Sequence, residues 1–301
     1  MKHLLKLIDL STEEITEILN LSDQLKYELK NNIPHPRLAG KTLGMIFQKS
    51  STRTRVSFEV GMYQLGGHPL FLSANDLQIG RGEPTADTAR VMSRYCDGIM
   101  IRTFEQAEVE EFAKYSTIPV INALTDFAHP CQIFADLLTI REYKGSFEGL
   151  KVCFIGDTNN MANSFIVGAL KVGMKFTLAS PAGYVLHPEI AAFVKDNPNF
   201  EQTTDVLAAA KEADAVVTDV WASMGDEAEA QKRQQDFVGY QINNEVMANA
   251  KSDAIVLHCL PAHREEEITT EVFEKYANVI FDEAENRLHV QKAILVKLME
   301  K

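Results

Sequence analysis

Cysteine is scarce and scattered: Cys96, Cys131, Cys153 and Cys259 stand far apart, with no Cys-x-x-Cys pair. That spacing signals neither a disulfide framework nor a zinc site, and it suits a reducing cytoplasm. Long apolar runs are missing as well. Lys6 and Asp9 interrupt MKHLLKLIDL before a secretion-signal core forms, and no later run approaches the roughly 20 residues of a membrane span. Basic residues are in deficit, 30 Lys and Arg against 42 Asp and Glu, and the net charge of -12 argues against a nucleic-acid surface or an anionic membrane face. The fingerprint G-x-G-x-x-G is absent after LKVCFI, where GDTNN stands instead, so a nicotinamide enzyme is a weak alternative. Ser-x-x-Lys, G-x-S-x-G and clustered His/Asp metal spacings are absent too, and neither a metal nor another cofactor is expected.

What is present is a chain of 301 residues, 46% hydrophobic, long enough to bury two cores. Ser11-Thr12-Glu13-Glu14 has the form of a capping box and predicts a helix through about Leu29. Short apolar runs then alternate with helical patterns: TLGMIF, a helix after it, a second near Asp87 to Tyr95, DGIMIR and IPVINA. Pro130 is placed to open a long helix through Glu142. The alternation restarts with LKVCFIGD, MKFTLAS, DAVVTDV and AIVLHCL. Buried-strand signals between helices predict an α/β fold of two doubly wound domains, each a parallel sheet flanked by helices. A break near EYKGSFEG separates residues 1–140 from 141–285, and the apolar spacing of Leu288, Ile294, Leu295 and Leu298 predicts a terminal helix, 286–301, packing back onto the first domain.

In open parallel sheets ligands lie beyond the carboxyl ends of the strands. Those positions hold the stretch KSSTRTR, Arg102, Asp157, Asp219 and His258-Cys259. KSSTRTR sets Lys49, Arg53 and Arg55 among hydroxyls at a strand-to-helix turn, where free amides, the helix dipole and arginine forks suit a phosphate; a solvated helix start has the same composition. HPCQ puts His129 and Gln132 one turn apart, able to aim at one carbonyl, though a lone histidine there equally serves as a cap. Asp219 suits an ammonium group or a helix cap, and Cys259 by position alone is only a candidate.

Taken together, KSSTRTR, HPCQ, DVWASMG and HCLPAHR resemble the carbamoyltransferases, in order and spacing along nearly the whole chain. Within that family the S-M-G segment and HCLP look like the ornithine-specific members; aspartate-specific members lack both. The resemblance implies transfer of a carbamoyl group from carbamoyl phosphate to the side-chain amine of L-ornithine, with a first domain for carbamoyl phosphate and a second for ornithine. It implies that Ser51, Thr52, Arg53 and Thr54 bind the phosphate, with Arg102, His129, Gln132 and Arg287 also on carbamoyl phosphate. Gln78 is implied to reach a neighbouring subunit of a homotrimer with shared active sites. Asn160, Asp219, Ser223 and Met224 are implied to bind ornithine, with Cys259 and Leu260 between both substrates. Arg53, Arg102, His129 and Cys259 are the implied catalytic set, in an enzyme of arginine biosynthesis. Lys49 and Arg55 are expected to shape the local field or pair with acids such as Glu59. Carbamoylation of putrescine or N-acetylornithine, or a non-catalytic phosphate-binding module, are the alternatives.

Overall fold

The capping box forms as the sequence predicts. The Ser11 hydroxyl accepts the Glu14 amide at 3.2 Å, the Glu14 carboxylate accepts the Ser11 amide at 3.1 Å, and α1 runs Thr12–Lys30. The computed structural model describes residues 1–222 and 229–300. It divides into two compact units, Met1–Ala135 together with the chain from Glu285 onward, and Asp136–Ala284. Among the described residues no helix is long and apolar enough to cross a membrane.

In the first unit β1 (Thr42–Phe47), α2 (Thr52–Gln64), β2 (His68–Ser73), α3 (Thr85–Tyr95), β3 (Gly98–Arg102), α4 (Gln106–Tyr115) and β4 (Val120–Leu124) alternate. The strands form one parallel sheet in the order β2-β1-β3-β4. Ile46, Ile99, Ile101, Val109, Phe112 and Val120 are buried in one apolar cluster of this unit. β1 packs closely at Gly44, where a Cβ would stand 2.9 Å from Met92 Cε on α3 and 3.0 Å from Ile99 Cδ1 on β3, so a larger residue there would displace those two side-chain ends.

α5 (Pro130–Lys144) opens on its proline and leads into the second unit. There follow β5 (Lys151–Ile155), α6 (Asn160–Lys171), β6 (Lys175–Ala179), α7 (Pro188–Val194), β7 (Phe200–Thr203), α8 (Val206–Ala210) and β8 (Ala215–Thr218). After these come α9 (Ala230–Asp236), α10 (Asn244–Asn249), β9 (Ile255–His258), α11 (Thr270–Lys275) and α12 (Ala277–Met299). This sheet is also parallel, in the order β7-β6-β5-β8-β9, so the expected class of two doubly wound sheets is what the chain adopts.

β2 and β7 escape the sequence reading because they are partly exposed edge strands, whereas the other two edges, β4 and β9, are buried apolar runs and are legible. The half-exposed HPLFLS even carries a proline, which an edge tolerates, and FEQT has no apolar run at all. The terminal helix begins at Ala277, ahead of the expected 286. Its later part belongs to the first unit, where Ile294, Leu295 and Leu298 are buried and Lys26 Nζ donates to Asn286 Oδ1 at 2.8 Å.

Each sheet has one switch point, where the chain stops adding strands on one side and starts on the other. In the first it lies between β1 and β3, in the second between β5 and β8. In open parallel sheets such switch points put ligands beyond the carboxyl ends of those two pairs.

Candidate functional site

At the first switch point, β1 hands over to α2 through a turn capped by Ser51, whose hydroxyl accepts the Thr54 amide at 3.1 Å. A helix start of this kind presents amides with no partner inside the helix, next to the positive end of its dipole. Thr54 is buried, Ser51 and Arg53 are partly so, and Thr52 is exposed. Arg287, 3% exposed, donates Nη2 to Thr54 Oγ1 at 3.2 Å and Nη1 to Gln132 Oε1 at 2.6 Å, so α2, α5 and α12 meet at one guanidinium.

His129, directly before Pro130, is buried. Burial pushes its pKa well below the usual imidazole value, and Arg287, Arg102 and Arg53 press it the same way. The imidazole is therefore neutral at pH 7 and faces three guanidinium charges. Arg102 is buried at the end of β3. Arg53, Arg102, His129, Gln132, Thr54 and Arg287 thus form one neighbourhood, whereas Gln78 is exposed on the short turns that follow β2. Arg55 pairs with Glu59 at 2.9 Å and lies 3.6 Å over the Phe71 ring. Lys49, buried, pairs with Asp126 and sits 4.3 Å from the Phe104 ring centre.

At the second switch point Asp219 follows β8 and is 7% exposed. Its Oδ2 accepts Asn159 Nδ2 at 2.9 Å, and its Oδ1 accepts the Cys259 thiol at 3.0 Å and the Val220 amide at 2.8 Å. Asn159 caps α6 through Oδ1, which fixes its amide group so that Nδ2 is the end offered to Asp219. Asn160 begins α6, partly buried. Burial, and then the Asp219 carboxylate, raise the Cys259 pKa well above that of a free thiol, so the group is a thiol that donates.

The backbone at Leu260 is left-handed, φ 59°, and the Leu260–Pro261 bond is cis. His258 Nδ1 accepts the Leu260 amide at 2.9 Å, so the ring proton is on Nε2 and is donated to Glu267 Oε1 at 2.8 Å. The His258 amide donates to Glu283 Oε2 at 2.8 Å. Asp157 is held by Arg233, whose Nη1 reaches its Oδ2 at 2.5 Å and the Trp221 carbonyl at 3.1 Å. Ser223 and Met224 lie outside the described residues.

Asn159, His258 with Glu267, and Arg233 have no assigned role in the sequence reading. Asn159 and His258 stand inside quoted motifs and carried a signal of position; Glu267 and Arg233 carried none. Two further groupings lie elsewhere in the second unit. A cleft of about 710 Å³ bordered by Tyr184, Thr204, Lys232, Asp236 and Tyr240 contains none of the expected site residues. Side-chain ligand atoms of His263, Glu266 and Glu267 lie within 4.8 Å of one another, with Glu267 Oε1 already accepting from His258 and from the His263 amide.

The family description "Aspartate/ornithine carbamoyltransferase, carbamoyl-P binding domain" matches residues 2–142, and its companion "Asp/Orn binding domain" matches residues 148–298. An ornithine carbamoyltransferase of Carboxydothermus hydrogenoformans is 55% identical over 98% of this chain and 96% of its own. One of Syntrophotalea carbinolica is 56% identical over 99% of each. Among solved structures, ornithine carbamoyltransferase from Pyrococcus furiosus superposes with a TM-score of 0.94 at 49% identity, covering 99% of this chain and 97% of that one. The anabolic ornithine carbamoyltransferase of Campylobacter jejuni does so with a TM-score of 0.94 at 45% identity, over 99% of both. Matched along nearly its entire length, the chain belongs to the aspartate/ornithine carbamoyltransferase family.

Proposed function

We propose that this protein transfers the carbamoyl group of carbamoyl phosphate to the side-chain amine of L-ornithine, giving L-citrulline and phosphate. The observation that carries the reading is end-to-end likeness, above half identity, to relatives that bear the name ornithine carbamoyltransferase. The chemistry of both switch points supports it. In the first unit the α2 start, with Ser51, Thr52, Arg53 and Thr54, holds the phosphate, and Arg102, His129, Gln132 and Arg287 hold the carbamoyl end. A neutral imidazole donates a hydrogen bond to a carbonyl without repelling the arginines beside it. In the second unit Asn160 and Asp219, with Ser223 and Met224, take the amino acid; Cys259 and Leu260 adjoin both substrates.

Ornithine's side-chain amine resembles that of lysine, with a pKa of about 10.4, and is an ammonium at neutral pH. It must lose a proton before nitrogen can attack. Asp219, whose Oδ1 accepts the Cys259 thiol at 3.0 Å, orients the ammonium and, with the Cys259 region, takes up that proton. The nitrogen then forms its bond to the carbamoyl carbon, and the carbonyl oxygen takes up negative charge facing Arg102, His129 and the hydroxyls of the turn. Collapse breaks the carbon–oxygen bond to phosphate, which leaves with the electron pair on its oxygen and takes up the second proton of the attacking nitrogen, its charge stabilised by Arg53 and the helix start.

Homotrimeric assembly, with Gln78 reaching a neighbour, belongs to the same proposal. So does citrulline production for arginine synthesis in a cytoplasm, a setting suited to four free cysteines. The test offers carbamoyl phosphate with ornithine, putrescine, N-acetylornithine or aspartate in parallel and reads the carbamoylated product. Turnover with ornithine is expected, and absence of product with all four acceptors overturns the proposal. Light scattering of the same preparation is expected to read three chain masses.

A further inference from the structure

β1 and β3 flank the first switch point, and their ladder ends at the pair Phe47 and Arg102. One more bond follows, from the Gln48 amide to the Arg102 carbonyl at 2.9 Å, and then the chains part. β1 continues into the Ser50–Thr54 turn; β3 continues through Thr103 into α4. Glu108, in the first turn of α4, joins them again. One of its oxygens accepts Gln48 Nε2 and the other accepts Thr103 Oγ1. The Thr103 amide in turn donates to the Leu124 carbonyl at 3.0 Å, so the ends of β1, β3 and β4 are tied through a single carboxylate.

A carboxylate engaged at both oxygens fixes the separation and direction of its two donors, and a position in the first turn of a helix favours its charge. Gln48 leads into the anion-binding turn, and Thr103 is the neighbour of Arg102. We infer that Glu108 is a positioning residue for the anion site: it sets the α2 start against Arg102 without touching the ligand. Its charge has the wrong sign for a phosphate contact, and both of its oxygens are occupied. No sequence motif singles it out. The inference rests on the carbamoyl phosphate reading proposed above.

The experiment compares Glu108→Ala and Glu108→Gln with the unaltered protein. It reads affinity for inorganic phosphate by calorimetry, KM for carbamoyl phosphate and for ornithine, and the thermal midpoint. Glu108→Ala is expected to weaken phosphate binding and raise the carbamoyl phosphate KM by about tenfold, on the scale of a lost hydrogen bond to a charged group. The ornithine KM is expected to stay within about twofold, as for a change confined to one substrate's site. Glu108→Gln is expected to recover most of the loss, because its amide oxygen still accepts from Gln48 while its NH2 donates to the Thr103 hydroxyl. Unchanged phosphate affinity in Glu108→Ala, or equal losses in the Ala and Gln variants, overturns the inference. Should Glu108→Ala fail to fold, Thr103→Val removes one arm of the tie, and phosphate affinity equal to the unaltered protein's there overturns it equally. Unaltered protein that binds phosphate yet carbamoylates nothing would sink the reaction and leave the role of Glu108 to be decided by the calorimetry alone.

Discussion

Cys259 sits where a nucleophile or a base would be sought, and its surroundings prevent it from being either. The partly buried sulfur faces the Asp219 carboxylate at 3.0 Å, and ionising it would put two negative charges side by side. Its pKa lies well above the free value, so the group is a proton donor through the physiological range. Alkylation follows the thiolate, and a free cysteine with a pKa of about 8.5 is partly ionised at pH 8. Iodoacetamide is therefore expected to label Cys259 at least about tenfold more slowly than a free thiol at pH 8, with the rate still climbing at pH values where that of a free thiol has levelled off. Peptide mapping of the labelled protein reads this directly, and rapid labelling at pH 8 would show that the sulfur is a thiolate after all.

At the level of elements, α2 has two duties that one substitution separates. Ser51 caps the helix and is proposed to touch the phosphate. Aspartate caps a helix as well as serine does, whereas a removed cap costs about 1 kcal/mol. Ser51→Asp should thus keep the thermal midpoint while its negative charge drives carbamoyl phosphate away, raising that KM by about a hundredfold or more, as like charges at close range imply. A fallen midpoint with an unchanged KM would make Ser51 a cap and nothing else. The elements the sequence discloses are those governed by local rules: the Ser11 box, the proline start of α5 and the buried strands β1, β3, β4, β5, β6, β8 and β9. Strands β2 and β7 stay hidden because their partial exposure leaves no buried apolar run to mark them, unlike the equally peripheral but buried β4 and β9. In the site, the motif residues near strand ends are legible, since topology decides where strand ends go. The partners of Asp219, His258 and Asp157 are not legible. Asn159, Glu267 and Arg233 reach them across 60, 9 and 76 positions, and only tertiary packing selects them.

The whole molecule divides its titrating groups unevenly between the two units. His3, His129 and His289 all belong to the first unit, and burial is the main cause holding each below its ordinary pKa; His3 and His289 stand at about 4. Folded, they stay neutral; unfolded, they take protons below about pH 6.5. Stability from this source is present above pH 6.5 and is lost as pH falls toward 4, by about 1.4 kcal/mol per pH unit for a well-buried histidine such as His289. Acid should therefore loosen the first unit before the second. Hydrogen exchange at pH 5, corrected for intrinsic rates, is expected to show β1, β3 and β4 losing protection while β5 and β8 keep theirs. Equal loss in both sheets would contradict the histidine account.

The same neighbourhood has a complementary property. Arg53, Arg102 and Arg287 surround a histidine that carries no charge, and guanidinium groups do not titrate below about pH 12. Protons consequently have little hold on how strongly this site attracts an anion. Dissolved salts do, because screening lengths shrink to about 8 Å at physiological ionic strength and inorganic anions compete for the same donors. A cell that alters its pool of phosphate, sulfate or chloride thereby alters how full this site is without changing the charge of the site itself.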